Sequence, residues 1–457
     1  MAALMVQGVS SWAGKSLLAT ALARLFARRG IRVAPFKGQN MSNNARVVAG
    51  GEIGTAQYLQ ALAAGVEPDV RMNPVLVKPE GERQSQVIVD GRPDAGLSAL
   101  PWRDRGAALW QPIERALRSL LADYELVVIE GAGSPAEINL RDTDLANMRV
   151  AEAAAARVVL VADIDRGGAF AHLYGTWALL PERERESIGA FVLNKFRGDA
   201  SLLPPAPAEL EARTGIPVIG VLPWLEHGLP DEDGAAQRGG TGAVVAVVRY
   251  PTASNLDEFR QLEQVALVEW VTEPSHLNGA DLVVLPGSKH VAADLAWLRR
   301  TGIADAIATR TRRGARVLGI CGGLQMLGER LHDAAGVDGS ASGLGVLPLS
   351  TRFEAGKLTG KADVRLPELP PPWRELSGLV YSGYEIRHGR TTPPQAVVAQ
   401  GAVLGLLAHG VFESAAVLEA LFGRAPERSL DEVFDDLADA VERHLDTDRL
   451  LALAGIA

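Results

Sequence analysis

The stretch "LMVQGVSSWAGKSLLATALARLFARRG", residues 4–30, decides the fold. It opens on a short apolar run, "LMVQGV", of the kind that forms a buried parallel strand. A glycine turn follows, "GVSSWAGKS" from Gly8 to Ser16, and then a helical pattern. A strand that turns through glycines into a helix can cradle a phosphate: backbone N–H groups face the anion, and the helix N-terminus adds positive potential. The usual loop has four residues between its first Gly and its Gly-Lys pair; this one has five, Val9 to Ala13. The mechanism survives the insertion. Gly8, Ser10, Ser11, Gly14, Lys15 and Ser16 are the expected nucleotide contacts, with Lys15 reaching the β- and γ-phosphates and Ser16 offering a hydroxyl to Mg²⁺.

The same alternation runs outward from there. "RVAPFK" (32–37), "ELVVIEG" (125–131), "RVVLVAD" (157–163) and "GAFVLNK" (189–195) are further strand-like runs separated by helical patterns. They predict an open, doubly wound α/β domain over 1–225. Residues 226–243, "EHGLPDEDGAAQRGGTGA", are polar, glycine-rich and aperiodic, and are expected to be a linker. A second α/β series follows over 244–457, with runs at 244–250, 280–288, 315–323 and 402–410. The Pro-rich "LPELPPPWRE" (366–375) reads as a surface loop. Leu430, Phe434, Leu437 and Val441 recur at helical spacing in the acidic tail and predict a terminal helix packed on the second domain.

Composition narrows the classes. The chain has 457 residues, enough for several cores, with 47% apolar and 22% charged residues and a net charge of −9. That balance fits a soluble globular protein and argues against a nucleic-acid surface. A single Cys excludes an internal disulfide framework and fits the cytoplasm. No run approaches the ~20 apolar residues of a membrane span. "MAALMV" has no basic leader and reads as part of the first strand.

Two further strand ends complete the nucleotide site. Glu130 ends "LVVIE", where a metal-binding carboxylate would stand beside Ser16. "VLNKF" (192–196) ends a later strand with Asn194 and Lys195, and an Asn there can read a purine edge with its amide. A GTPase would place an Asp two residues after Lys195; Arg197 stands there, so ATP is the expected nucleotide.

The lone cysteine lies in "GICGG" (319–323), a G-x-C-x-G turn after the strand "ARVLGI". This is a nucleophile elbow with Cys in place of Ser. Cys321 would sit at a helix N-terminus, which favours the thiolate. The backbone N–H of Gly322 forms half an oxyanion hole, and Gly287 in "LPGSKH" the other half. Of eight histidines, His409 is the candidate base, because it ends the strand "AVLGLLA"; His388 and His290 are weaker candidates. The plain alternative is a buried cysteine without chemistry.

These residues resemble known modules. The second half looks like a class I, triad-type glutamine amidotransferase domain; the first resembles the dethiobiotin-synthetase-like ATPases. Strings such as "APFKGQNMSNNA" (34–45), "IEGAGSPAEINLRDTDLANM" (129–148), "YPTASNLDEF" (250–259) and "GYEIRHGR" (383–390) are similar to the cobyric acid synthase family. The resemblance implies amidation of the b, d, e and g carboxylates of adenosylcobyrinic acid a,c-diamide, with ATP, Mg²⁺ and glutamine. Lys37, Gln39, Asn40, Ser42 and Asn43, following the second strand, are the expected corrinoid contacts.

The resemblance has departures. The class usually carries Glu two residues after the catalytic His; here Val411 stands there. The group orienting His409 is left open, with Glu413 as a stand-in. Dethiobiotin-synthetase relatives use an Asp after the second strand for metal, and here only Gln39 and Asn40 are offered. The rival readings are the enzyme that makes the a,c-diamide and a MinD-like positioning ATPase, which would lack the cysteine elbow.

Overall fold

Alternate residues of the strand Ala2–Gly8 enter opposite cores: Ala3 and Met5 pack on one face of a sheet, Leu4 and Val6 on the other. Both faces are therefore covered, as the continuous apolar runs require. The computed structural model describes residues 2–80, 84–229 and 238–456. Its first sheet is six-stranded and wholly parallel. The spatial order is Val218–Pro223, Ile188–Phe196, Arg157–Asp163, Ala2–Gly8, Leu126–Glu130, Val33–Phe36. The chain leaves Ala2–Gly8 toward one side for Val33–Phe36 and later returns to the other for Arg157–Asp163. The phosphate loop thus sits at a topological switch point, where α/β sheets bind ligands.

The second sheet has seven strands, with Val244–Val248, Leu267–Val271, Leu282–Leu285, Arg316–Ile320 and Val403–Leu406 parallel at its centre. Antiparallel strands close both edges. The α/β class and its two doubly wound units are as expected. Outside the two sheets, a hairpin, Ala45–Val48 with Gly51–Gly54, meets a long ribbon, Ser350–Arg365 with Val380–Thr392.

Two sequence expectations need correction. The acidic terminal helix, Leu430–His444, packs on the first domain. Phe434, Leu437 and Val441 enter the core that holds Leu18, Leu22 and Phe26 of helix Lys15–Arg28. Arg24 forks onto Asp435 at 2.8 and 3.0 Å, and Arg28 meets Asp439 at 2.6 Å. An amphipathic pattern says that a face is buried but not against what, and here the row of acids matches the arginines of the first helix. The Pro-rich stretch does join two strands, but Leu366, Leu369 and Trp373 within it are buried. Of the expected linker, residues 230–237 lie outside the described residues. On their flanks Leu229 is buried beside the terminal helix, and Arg238–Gly239 pairs with Leu267–Val271. Among the described residues, no helix is long and apolar enough to cross a membrane.

Candidate active sites

The loop after Ala2–Gly8 closes around its own lysine. Lys15 is buried, and its Nζ donates to Ser10 O at 3.0 Å and Gly133 O at 3.2 Å. Gly14 caps the helix at φ 97°, and a Cβ there would lie 2.0 Å from Asn194 Nδ2; only glycine fits. Asn194 is buried and donates to Ala13 O at 2.9 Å, so one amide hydrogen already braces the loop. Ser11 stands exposed at the tip.

Ser16 Oγ donates to Glu130 Oε1 at 2.9 Å. Glu130 is fully buried, and the same oxygen accepts Lys37 Nζ at 2.9 Å. Its other oxygen accepts from Gln57 at 3.3 Å and from Gln60. A lysine, two amides and a hydroxyl thus satisfy both oxygens of this buried carboxyl group. A hydroxyl and a carboxylate at the end of a phosphate loop suit Mg²⁺, a hard cation that takes most of its remaining ligands from phosphate and water. Among the described residues no group of three or more His, Cys, Asp or Glu could hold a metal alone. Gln57 and Gln60 were missed in the sequence. Their three-residue spacing on helix Thr55–Ala63 is the signal that puts them on one face.

The five residues expected to form one corrinoid-facing loop are divided. Lys37 is turned inward onto Glu130. Asn40 is buried, with Nδ2 on Gln57 Oε1 at 3.3 Å. Ser42 Oγ accepts from Asn44 N at 3.0 Å. Gln39 lies in the short strand Gln39–Met41, paired with Val75. Asn43 lines a cavity that also contains Cys321. Gln39 and Asn40 are separated because they are successive residues of a strand, which alternate sides.

Cys321 follows strand Arg316–Ile320 at φ 50° and ψ −106°, a strained conformation for a residue with a Cβ. The elbow lifts its thiol to the carboxyl end of the sheet. A Cβ on Gly322 would lie 2.8 Å from Ser288 N, and one on Gly287 would lie 2.5 Å from His409 Cε1. Both expected oxyanion segments therefore meet at the cysteine and histidine.

His409 is buried, with Nδ1 2.9 Å from Glu258 Oε1. Glu258 Oε2 also accepts Gly410 N at 2.8 Å. With Nδ1 so committed, Nε2 is the ring nitrogen left for Cys321, whose Sγ lies 4.0 Å from Ile386 O. The Tyr384 ring stacks on the imidazole at 5.2 Å. Burial opposes the imidazolium, but Glu258 and the Cys321 sulfur outweigh it and push His409 up to about 10. The orienting group is thus Glu258. Glu413 is turned away, onto Arg46 at 2.6 Å. Val411 is buried in the apolar core. His290 pairs with Asp338 at 3.1 Å, and His388, which lines the Cys321 cavity, has Nδ1 3.1 Å from Glu354 O. Glu258 lies 151 residues before His409, and no local spacing pointed to it.

The Cys321 cavity is closed partly by the first domain. Lys78 and Glu80 reach it from the end of strand Val75–Pro79. Glu52 pairs with Lys78 at 2.5 Å and with Lys357 of the long ribbon, and Glu80 pairs with Lys289 at 2.9 Å. Burial alone would raise the Glu52 carboxyl; the two ammonium groups hold it down at about 2.

Residues 4–229 match the CobQ/CobB/MinD/ParA nucleotide binding domain, and residues 244–416 match the CobB/CobQ-like glutamine amidotransferase domain. Among curated proteins, the chain is 54% identical to the cobyric acid synthase of Polaromonas sp. strain JS666, over 98% of each chain. It is 54% identical to that of Variovorax paradoxus strain S110, again over 98% of each. To that of Paracidovorax citrulli it is 55% identical, over 97% of each.

Proposed function

Because the chain belongs to the cobyric acid synthase family, we propose that it is the ATP-dependent ligase that amidates the b, d, e and g carboxylates of a cobyrinic acid a,c-diamide with nitrogen from glutamine. The observation that carries this reading is the pairing, in one chain, of a phosphate loop at one switch point with a Cys–His–Glu constellation at a cavity between the domains.

A carboxylate does not react with ammonia until its oxygen becomes a leaving group. In the first domain, Lys15 and the loop N–H groups hold a transferring phosphoryl group in line with the substrate carboxylate. Bound Mg²⁺, held by Ser16 and Glu130, would offset charge on the phosphate oxygens. Lys37, Gln57 and Gln60 hold Glu130 in its orientation. Asn194 braces the loop from the side.

In the second domain, Cys321 attacks the side-chain carbonyl of glutamine. Gly287 and Gly322 donate backbone hydrogen bonds to the oxyanion that forms. His409 protonates the departing ammonia, and Glu258 keeps its ring in register. Water then clears the thioester and releases glutamate. The ammonia attacks the carboxyl phosphate, displacing phosphate and forming the amide. We place the reaction in the cytoplasm, where a lone thiol stays reduced.

Mass spectrometry of the a,c-diamide corrinoid tests this reading after incubation with ATP, Mg²⁺ and glutamine. Each step exchanges OH for NH₂, so a ladder of amides is expected. An unchanged corrinoid with ATP consumed would reject it in favour of an ATPase without amidating activity. Amides confined to the a and c positions, made from the unamidated acid, would favour the a,c-diamide-forming enzyme.

A further inference from the structure

Arg46 belongs to the first domain, in the hairpin strand Ala45–Val48, yet its side chain is buried against the second. Nε donates to Asp257 Oδ2 at 2.8 Å, and Nη2 reaches Asp257 and, at 2.6 Å, Glu413. Asp257 is the residue before Glu258. The turn that carries both, Leu256–Phe259, is held from the first domain at two further points. Ala45 N donates to Asn255 Oδ1 at 3.1 Å, and Leu256 N donates to Asn44 Oδ1 at 3.0 Å. Asn255 itself sits at φ 56°, a bend that those bonds help hold.

The guanidinium also covers the Tyr384 ring at 4.9 Å. Tyr384 stacks on His409 and pairs with it through the backbone, His409 N donating to Tyr384 O at 2.9 Å. Arg46 therefore touches both supports of the histidine: the Glu258 turn and the stacked tyrosine. On its own side it lies 5.5 Å from the Tyr58 ring. Tyr58 stands on helix Thr55–Ala63 between Gln57 and Gln60, the two amides that hold Glu130. Helix Thr55–Ala63 thus links the two sites, carrying on its own residues both the amides that hold Glu130 and the tyrosine that meets Arg46.

We propose that Arg46 is a positioning residue through which the state of Glu130 in the nucleotide site sets the alignment of Glu258 and His409, so that glutamine is cleaved when the ATP site is filled. The fork bonds two carboxylates of the second domain from a strand of the first, so displacement of that strand would move the Glu258 turn with it. The inference rests on the amidation reading above.

The test is glutamate release by the full chain, with glutamine varied, in the presence and absence of ATP–Mg²⁺ and the a,c-diamide corrinoid. Ammonium-dependent amidation is measured on the same preparations. Arg46→Met should lower kcat for glutamine on the order of 10- to 100-fold and abolish its stimulation by ATP and corrinoid. KM for glutamine and the ammonium-dependent rate should move by less than about 3-fold. Arg46→Lys, which keeps the charge without the fork, should restore part of the rate. An unchanged kcat, a change in KM alone, or equal loss with both nitrogen sources would overturn the proposal. If Arg46→Met does not fold, Asp257→Asn carries the same expectations. Absence of ammonium-dependent amidation in the unmodified chain would instead reject the amidation reading, while glutamate release would still judge Arg46.

Discussion

Glu258 Oε1 lies 2.9 Å from His409 Nδ1, with both side chains buried, across the two ends of the amidotransferase half. The carboxylate fixes the tautomer that turns Nε2 to Cys321 and stabilises the imidazolium. Glu258→Gln should lower glutamine-dependent turnover roughly 10³- to 10⁴-fold, as when the orienting acid of another triad is neutralised. Ammonium-dependent amidation should be spared. The pH profile adds a sign. With His409 pushed up to about 10, its acid form persists through neutral pH, and activity should fall only as pH rises through that value. Removing the anion lowers the imidazolium pKa, so the alkaline limb of glutaminase activity should move to lower pH in Glu258→Gln. An alkaline limb that stays in place would contradict the assignment.

Cys321→Ala separates the two nitrogen routes. Glutamine-dependent amidation should drop on the order of 10⁴-fold or more, as for other covalent nucleophiles. Amidation from ammonium salt should persist and improve as pH rises and frees more ammonia. His409→Ala should follow the same pattern. A paired rate on one preparation decides it: equal loss with both sources would mean that the cysteine is structural.

Lys15→Ala should remove amidation with either nitrogen source, on the order of 10³-fold, because the transferring phosphoryl group loses its cation. The fold should survive, since Lys15 serves the loop interior and not the cores. Thermal melting beside the two rates distinguishes lost chemistry from lost structure, and a variant with full amidation rates would take Lys15 out of the mechanism.

Phe434 is fully buried between the terminal helix and helix Lys15–Arg28. Phe434→Ala should destabilise the first domain by about 3–5 kcal/mol. The Arg24–Asp435 fork is half exposed, and Asp435→Asn should cost only about 0.2–1 kcal/mol. Urea unfolding of the two variants gives the comparison. Similar costs for both would mean that charge, and not burial, holds the tail.

Local sequence determined each sheet, the phosphate loop and the cysteine elbow. A buried parallel strand must be apolar on both faces, a loop that cradles phosphate needs its glycines within a few residues, and an elbow needs small neighbours beside its nucleophile. All three constraints act between residues close in the chain, so they are written locally. Partners brought together by packing are not. Glu258 reaches His409 because its turn lies above the carboxyl edge of the second sheet, and nothing in "NLDEF" states that. Lys37 looked like an anion binder in a polar loop, but the neighbouring strands turn it onto Glu130. Asn43 looked like its companion, but the first domain presents it to the Cys321 cavity. The acidic helix declared its apolar face but not its partner. Burial chose these pairings, because a charge taken out of water must find its counter-charge wherever the fold places one.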